Sequence, residues 1–334
     1  MKDTHRVERG DRRAVLLRHR VRALALVSAM AALAPITAMA SVSGAEAPPA
    51  GPGYLTIQFG RSIEGSYLGK GCVRAPGFLT LAEVAADLQA RGFSATTTVV
   101  VDRTGSTTER CQGGDIYASW PDLQALAADG WSFISDGMTH NDIVTMSRTG
   151  QMEESCGSLA AFTQHGLDGS GLFAYGDNKF STAIQKSIVE ECYMYGRTYR
   201  GGVNNRATMS SIGFQNTNSI TGGACNTVGH PCYTTITGQA GKHYMSPVTL
   251  ATLVAGEKGD RWIDLQFYLL VSGVEHNGAY SWDCTSPDWT LHWTSQTEMY
   301  CANDFDSILD SVPAGIVVTD PGTVGTAWGR STDN

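Results

Sequence analysis

Asp136 and His140 stand four residues apart in the run Gly130-Trp-Ser-Phe-Ile-Ser-Asp-Gly-Met-Thr-His-Asn-Asp-Ile143. A carboxylate and an imidazole at that spacing on one loop can turn an oxygen and a nitrogen toward a small divalent cation such as zinc. Two ligands do not complete a metal site. The plainer reading is that Asp136 forms a turn with Gly137 and that His140 caps the next segment. Trp131, Phe133 and Ile134 follow a glycine as a short buried strand does, so the polar run Ser135 to Asn141 lies just past a strand end.

The rest of the chain sets the surroundings in which that loop would work. Eight of the 24 Lys and Arg and three of the 32 Asp and Glu fall in residues 1–40, together with an apolar run from Ala23 to Ala40 that closes this stretch. This is the pattern of a secretory signal peptide, with Ala38-Met39-Ala40 before Ser41 as the small-x-small cleavage site and Ser43-Gly44-Ala45 as a second candidate. Arg12-Arg13 resembles a twin-arginine signal, although further basic residues separate it from the apolar run, and the export route stays open. A retained membrane anchor would need a longer apolar span.

Without its first forty residues the chain has a net charge of −13. That balance argues against nucleic acid or an anionic membrane surface as the main partner. All eight cysteines lie beyond the signal: Cys72, Cys111, Cys156, Cys192, Cys225, Cys232, Cys284 and Cys301. An even number in an exported chain, with no Cys-x-x-Cys pair, points to disulfides before a thiolate metal site. A Gly-x-Ser-x-Gly elbow is absent, and His165, His230, His243 and His292 have no partner at ligand spacing.

Residues 41–53 read as a Pro/Gly linker, after which Tyr54 to Phe59 has the composition of a strand. Leu81, Val84, Ala85 and Leu88 recur at helical spacing between a Thr80 cap and a Gly92 stop. A Thr/Val strand over 95–101, a helix over 120–128, a helix over 149–165, a strand over 172–175, a helix over 182–191 and a strand over 193–199 continue the alternation. Such repetition predicts a parallel sheet or barrel. Strand signals return at 262–271, and the chain closes on a helix over 304–312 and a strand over 316–319.

This order of segments resembles the polysaccharide deacetylase family, whose NodB-homology domain is a deformed (β/α) barrel. Leu79 to Thr97 resembles the family's first helix and second strand, Leu123 to Trp131 leads into Asp136-Gly-Met-Thr-His140, and Leu172-Phe-Ala-Tyr-Gly-Asp-Asn178 resembles the next motif loop. The resemblance implies an α/β, disulfide-stabilised barrel over residues 54–320, with 321–334 as a C-terminal tail.

Enzymes of this family use a metal held by one Asp and two His to activate water, with an Asp as base and a late His as acid, and remove acetyl groups from amino sugars. Here Gln58-Phe59-Gly60 stands where the family has Asp-Asp-Gly, so Gln58 takes the base position and Phe59 a ligand position. Asp136 stands where the first His is expected, His140 matches the second, and Tyr268 falls at the late acid, with His276 further on. The metal site is thus at most half retained. No cofactor is expected, with zinc at Asp136 and His140 as the alternative.

The barrel reading also implies which residues share a rim. Gln58, Phe59, Arg61, Tyr175 and Asp177 would line a substrate site beside Asp136 and His140, with Phe59 or Tyr175 offering a ring face to a sugar; Glu64 and Asn178 lie nearby. It pairs Cys72 with Cys111 and Cys156 with Cys192, while Cys225–Cys232 and Cys284–Cys301 would close short loops. Tyr280, Trp282, Trp289 and Trp293 read as packing around Cys284 and Cys301 before sugar binding. Three functions are compatible with this pattern: a secreted protein that binds polysaccharide or cell-wall glycan without the metal chemistry, an active deacetylase with a non-standard site, or a non-catalytic envelope protein.

Overall fold

Alternation in the first strand explains the architecture. Leu55, Ile57 and Phe59 pack with helical residues such as Leu81, Leu88, Leu126 and Phe305, while Tyr54 joins Tyr195, Trp262 and Trp328 on the other side. One face of the strand therefore meets a helical layer and the other faces inward, as the period of two requires. In the computed structural model, the described residues are 52–66, 72–74, 77–169, 171–198, 202–206, 209, 214–216, 218–221, 242–244, 254, 259–272 and 299–329.

The strands are β1 (Gly53–Phe59), β2 (Ile63–Ser66), β3 (Thr96–Val99), β4 (Cys111–Gln112), β5 (Asp115–Tyr117), β6 (Ser132–Ser135), β7 (Leu172–Ala174) and β8 (Tyr195–Thr198). They continue as β9 (Asn204–Asn205), β10 (Phe214–Asn216), β11 (Asn218–Thr221), β12 (Lys242–Tyr244), β13 (Arg261–Phe267), β14 (Leu269–Val271), β15 (Met299–Cys301) and β16 (Ile316–Val318). The main sheet runs β10-β8-β7-β6-β3-β1-β13-β11-β12, with every pairing along that path parallel. It curls into a half-barrel, the deformed α/β barrel expected from the sequence. A small antiparallel sheet, β2-β5-β4, comes after β1 and is not foreshadowed by the periodicity of those segments.

Helices α1 (Leu81–Ala90) and α3 (Trp120–Ala128) cover the outer face, with α2 (Thr107–Arg110) short between them. Thr80 and Glu83 close a capping box on α1, and Leu81, Val84, Ala85 and Leu88 are its buried residues. Each large side chain buried this way stabilises the sheet–helix layer by about 1.5–3 kcal/mol. The helix expected over 149–165 is α4 (Arg148–Met152), a π-helical turn (Glu153–Gly157) and α5 (Ser158–Gln164). Beyond α6 (Thr182–Ser187) the last helices are α7 (Ala302–Asp310) and α8 (Pro321–Ala327).

Helix α8 corrects the expected tail. Asp320 caps it through Thr323, and Val324 and Trp328 are buried in the inner cluster. Its residues 321–327 are mostly small or polar, which hid the helix from periodicity. With Trp328 it closes the N-terminal end of the sheet's inner face. There Trp328 meets Tyr54 and Trp262 edge to face, with ring centres 6.3 and 5.8 Å apart, and Trp262 Nε1 donates to Thr56 Oγ1 at 2.8 Å. The inner polar groups lie beyond this aromatic floor.

Cys72 bonds Cys111 and Cys156 bonds Cys192, the two pairings that the family resemblance implied. Cys301 is disulfide-bonded, while Cys225, Cys232 and Cys284, with the aromatic group over 280–293 and His276, lie outside the described residues.

Candidate functional site

Asp136 comes directly after the last residue of β6 and extends its ladder, its N–H donating to the Val99 carbonyl at 2.8 Å. Its side chain, 2% exposed, lies 3.4 Å from the Thr98 hydroxyl through Oδ2, and the same oxygen is 3.7 Å from His140 Nε2. That separation is ion-pair range but longer than a hydrogen bond. Asp136 Oδ1 has no hydrogen-bond partner among the described residues.

The loop between them is held by a residue that the sequence did not single out. The Glu154 carboxylate, 4% exposed, accepts from the Thr139 hydroxyl at 2.8 Å, the His140 N–H at 2.9 Å and the Thr139 N–H at 3.1 Å. Gly137, at φ +83°, leaves room for it: a Cβ there would sit 2.1 Å from Glu154 Oε1. Glu154 belongs to the π-helical turn. A regular helical register gives no sign that its side chain turns inward, so only its presence near an apolar stripe was visible.

On β1, the strand next to β3, Gln58 is fully buried, and neither its Nε2 nor its Oε1 has a partner among the described residues. Gln266 is its register partner on β13, and Arg197 on β8 donates from Nη1 to Gln266 Oε1. The turn after β1 brings in Arg61, whose N–H donates to Thr98 Oγ1 at 2.6 Å and whose guanidinium stands 5.3 Å from the Tyr268 ring centre. Tyr268 is buried beneath that guanidinium and beside Gly60. Thus the Arg61 N–H and Asp136 both meet the Thr98 hydroxyl and His140 lies beside Asp136, while Gln58 and Gln266 are register partners on β1 and β13 and Arg197 reaches Gln266 from β8.

Two proposed sugar-stacking rings are not at the mouth. Phe59 faces the helical layer, stacked 5.5 Å from Trp131 and edge-on to Phe305 at 5.9 Å. Tyr175 is also buried on the outer side, its hydroxyl donating to Gln185 Oε1, and burial pushes its phenol pKa well above the usual value. Strand alternation is the cause: each comes after an inward-facing neighbour, Gln58 or Ala174, and so points outward. Asp177 is exposed on the turn after β7, where Gly176 backs against the His140 carbonyl. Glu64 is on β2, 3.6 Å from Arg110 and turned away from solvent.

Among the described residues no three His, Cys, Asp or Glu side chains gather to hold a metal ion. Asp136 and His140 supply two donors, and Phe59 supplies none and points away. This set does not fit a protein-held divalent metal.

No family model matches the chain, and no curated protein matches it. Solved structures do. The Xyl-CE4 domain of a multidomain xylanase from the hindgut metagenome of Trinervitermes trinervoides is 12% identical over 85% of this chain and 94% of that one, with a TM-score of 0.44. A family 4 acetyl xylan esterase from Clostridium thermocellum, in complex with a cobalt ion, is 12% identical over 84% and 94%, also at 0.44. A polysaccharide deacetylase from Bacillus cereus is 16% identical over 44% of this chain, at a TM-score of 0.34, and the match spans only 40% of that protein's length. All three likenesses are at low identity and have TM-scores below 0.5.

Proposed function

We propose that this protein is a secreted, deacetylase-like half-barrel that binds a neutral glycan at the C-terminal mouth of its sheet without metal-dependent deacetylation. The observation that carries this reading is Gln58. A buried amide with neither nitrogen nor oxygen paired costs roughly 1–3 kcal/mol per orphaned group. Such a group is retained where a ligand or ordered water supplies the missing partners, and sugar hydroxyls both donate and accept. Asp136 Oδ1 adds an unpaired acceptor. Loss of hydrolysis is supported by Phe59, whose ring faces the helical layer where a ligand carboxylate is expected at the mouth.

The test is a glycan-array comparison of the wild type with a folded Gln58→Ala, His140→Ala double variant. Binding by the wild type that the double variant loses is expected. Equal binding by both, or binding by neither, would reject the mouth as the site. A second reading, an active hydrolase, is favoured by the 3.7 Å approach of His140 to Asp136. Zinc-stimulated acetate release from chitin-like or peptidoglycan-like substrates, abolished by His140→Ala, would establish it instead.

A further inference from the structure

Three fully buried hydroxyls form a chain to which neither the family resemblance nor the glycan site gives a role. Ser135 closes β6, Ser158 opens α5, and Tyr193 directly follows Cys192, its ring in an apolar cluster with Ile143, Phe173 and Val189. Ser158 Oγ donates to the Ser155 carbonyl at 2.5 Å, so in its 2.6 Å contact with Ser135 Oγ it is the acceptor and Ser135 the donor. Ser135 Oγ in turn accepts the Gly137 N–H at 3.1 Å. The Tyr193 hydroxyl, 2.9 Å from Ser158 Oγ and 3.2 Å from the Ser155 carbonyl, donates into that pair. Burial pushes its phenol pKa up to about 12 against the pull of Ser135 and Ser158, so it stays a neutral donor. Each hydroxyl proton has an acceptor, and the chain ends on the Gly137 N–H.

The Asp136 N–H is already held by the Val99 carbonyl. With Ser135 Oγ on the Gly137 N–H, the peptides on both sides of Asp136 are fixed, and with them the backbone that carries the unpaired Oδ1. Glu154 holds Thr139 and His140 by separate bonds. Glu154 and Ser155 are neighbours in the π-helical turn and Ser158 follows it, so one irregular turn sends out two arms, and such turns recur at functional sites. Buried hydroxyl pairs add little net stability over apolar groups of the same shape, whereas a fully satisfied network specifies one arrangement. We propose that Ser158 and Tyr193 are positioning residues of the mouth: acting through Ser135 they fix Asp136, independently of Glu154, which fixes His140. The inference rests on the glycan reading only for what the fixed residues bind.

The experiment compares amide exchange and amide proton shifts at Gly137, Thr139 and His140, together with glycan-array binding well below the melting temperature, for wild type, Ser158→Ala, Tyr193→Phe and Glu154→Gln. Ser158→Ala is expected to speed exchange and move the shift at Gly137 while Thr139 and His140 stay as in wild type. It should weaken array binding about tenfold, as one lost hydrogen bond would. Tyr193→Phe, which keeps the ring, should move Gly137 in the same direction by less. Glu154→Gln is expected to do the reverse, loosening Thr139 and His140 and leaving Gly137 protected. All three amides responding together in each variant, as general loosening would make them do, would overturn the proposal, as would an unchanged Gly137 in Ser158→Ala. Array binding kept at the wild-type level after Gly137 is released would also overturn it. If Ser158→Ala does not fold, Tyr193→Phe decides on the same amides. No array binding by the wild type would reject the glycan reading alone, and the amide pattern would then decide the positioning.

Discussion

Glu64 shows what burial does to one carboxylate outside the mouth. Its side chain is 15% exposed, and desolvation, reinforced by Asp122, raises its pKa to about 7 against the opposing pull of Arg110 and Arg74. The unfolded residue releases its proton near 4.5. Because the folded state holds the proton more tightly, Glu64 favours folding fully below the unfolded value, and that contribution is lost as pH rises toward and past 7. The loss approaches roughly 3 kcal/mol. Urea unfolding of wild type and Glu64→Gln at pH 4 and pH 8 should show the variant gaining about that much relative to wild type at the higher pH. Parallel pH profiles would contradict it. The composition of this segment revealed an acid after a strand, but its burial depends on β4 and β5, distant in sequence, folding over it.

Among the elements, the stretch from α4 to α5 governs the loop that carries His140. Its π-helical turn presents Glu154 to the Thr139 and His140 amides, and the Cys156–Cys192 bond ties the same turn to the chain just before β8. The two cysteines are 36 residues apart, so by the loop-entropy model the bond stabilises the fold by about 4 kcal/mol. Denaturant unfolding of a Cys156→Ala/Cys192→Ala variant is expected to show a loss of that order, accompanied by faster amide exchange at Thr139 and His140. Unchanged exchange there would separate the disulfide from the loop. Helical spacing made the surrounding helix legible, whereas the extra residue of a π turn shifts side-chain direction without leaving a periodic signal.

For the whole molecule, the basic and apolar leader and the acidic remainder lead us to propose an exported protein, and no helix among the described residues is long and apolar enough to cross a membrane. The intact mass of secreted protein should correspond to a chain starting at or near Ser41. A mass retaining residues 1–40 would contradict this.

Sequence alone determined the alternation of strands and helices, the parallel α/β half-barrel and the pairing of Cys72 with Cys111 and Cys156 with Cys192, the last two through family resemblance. These features arise from local periodicity, caps and segment order, each written within a few tens of residues. It also located Asp136, His140, Gln58 and Arg61 at strand ends. Tertiary structure alone decided which way each side chain faces and what surrounds it: Phe59 and Tyr175 turn into the outer layer, Glu154 turns inward, and Arg197 reaches across to Gln266. Those outcomes depend on which strands lie beside one another and in what register, and a one-residue change in register reverses every side chain on a strand.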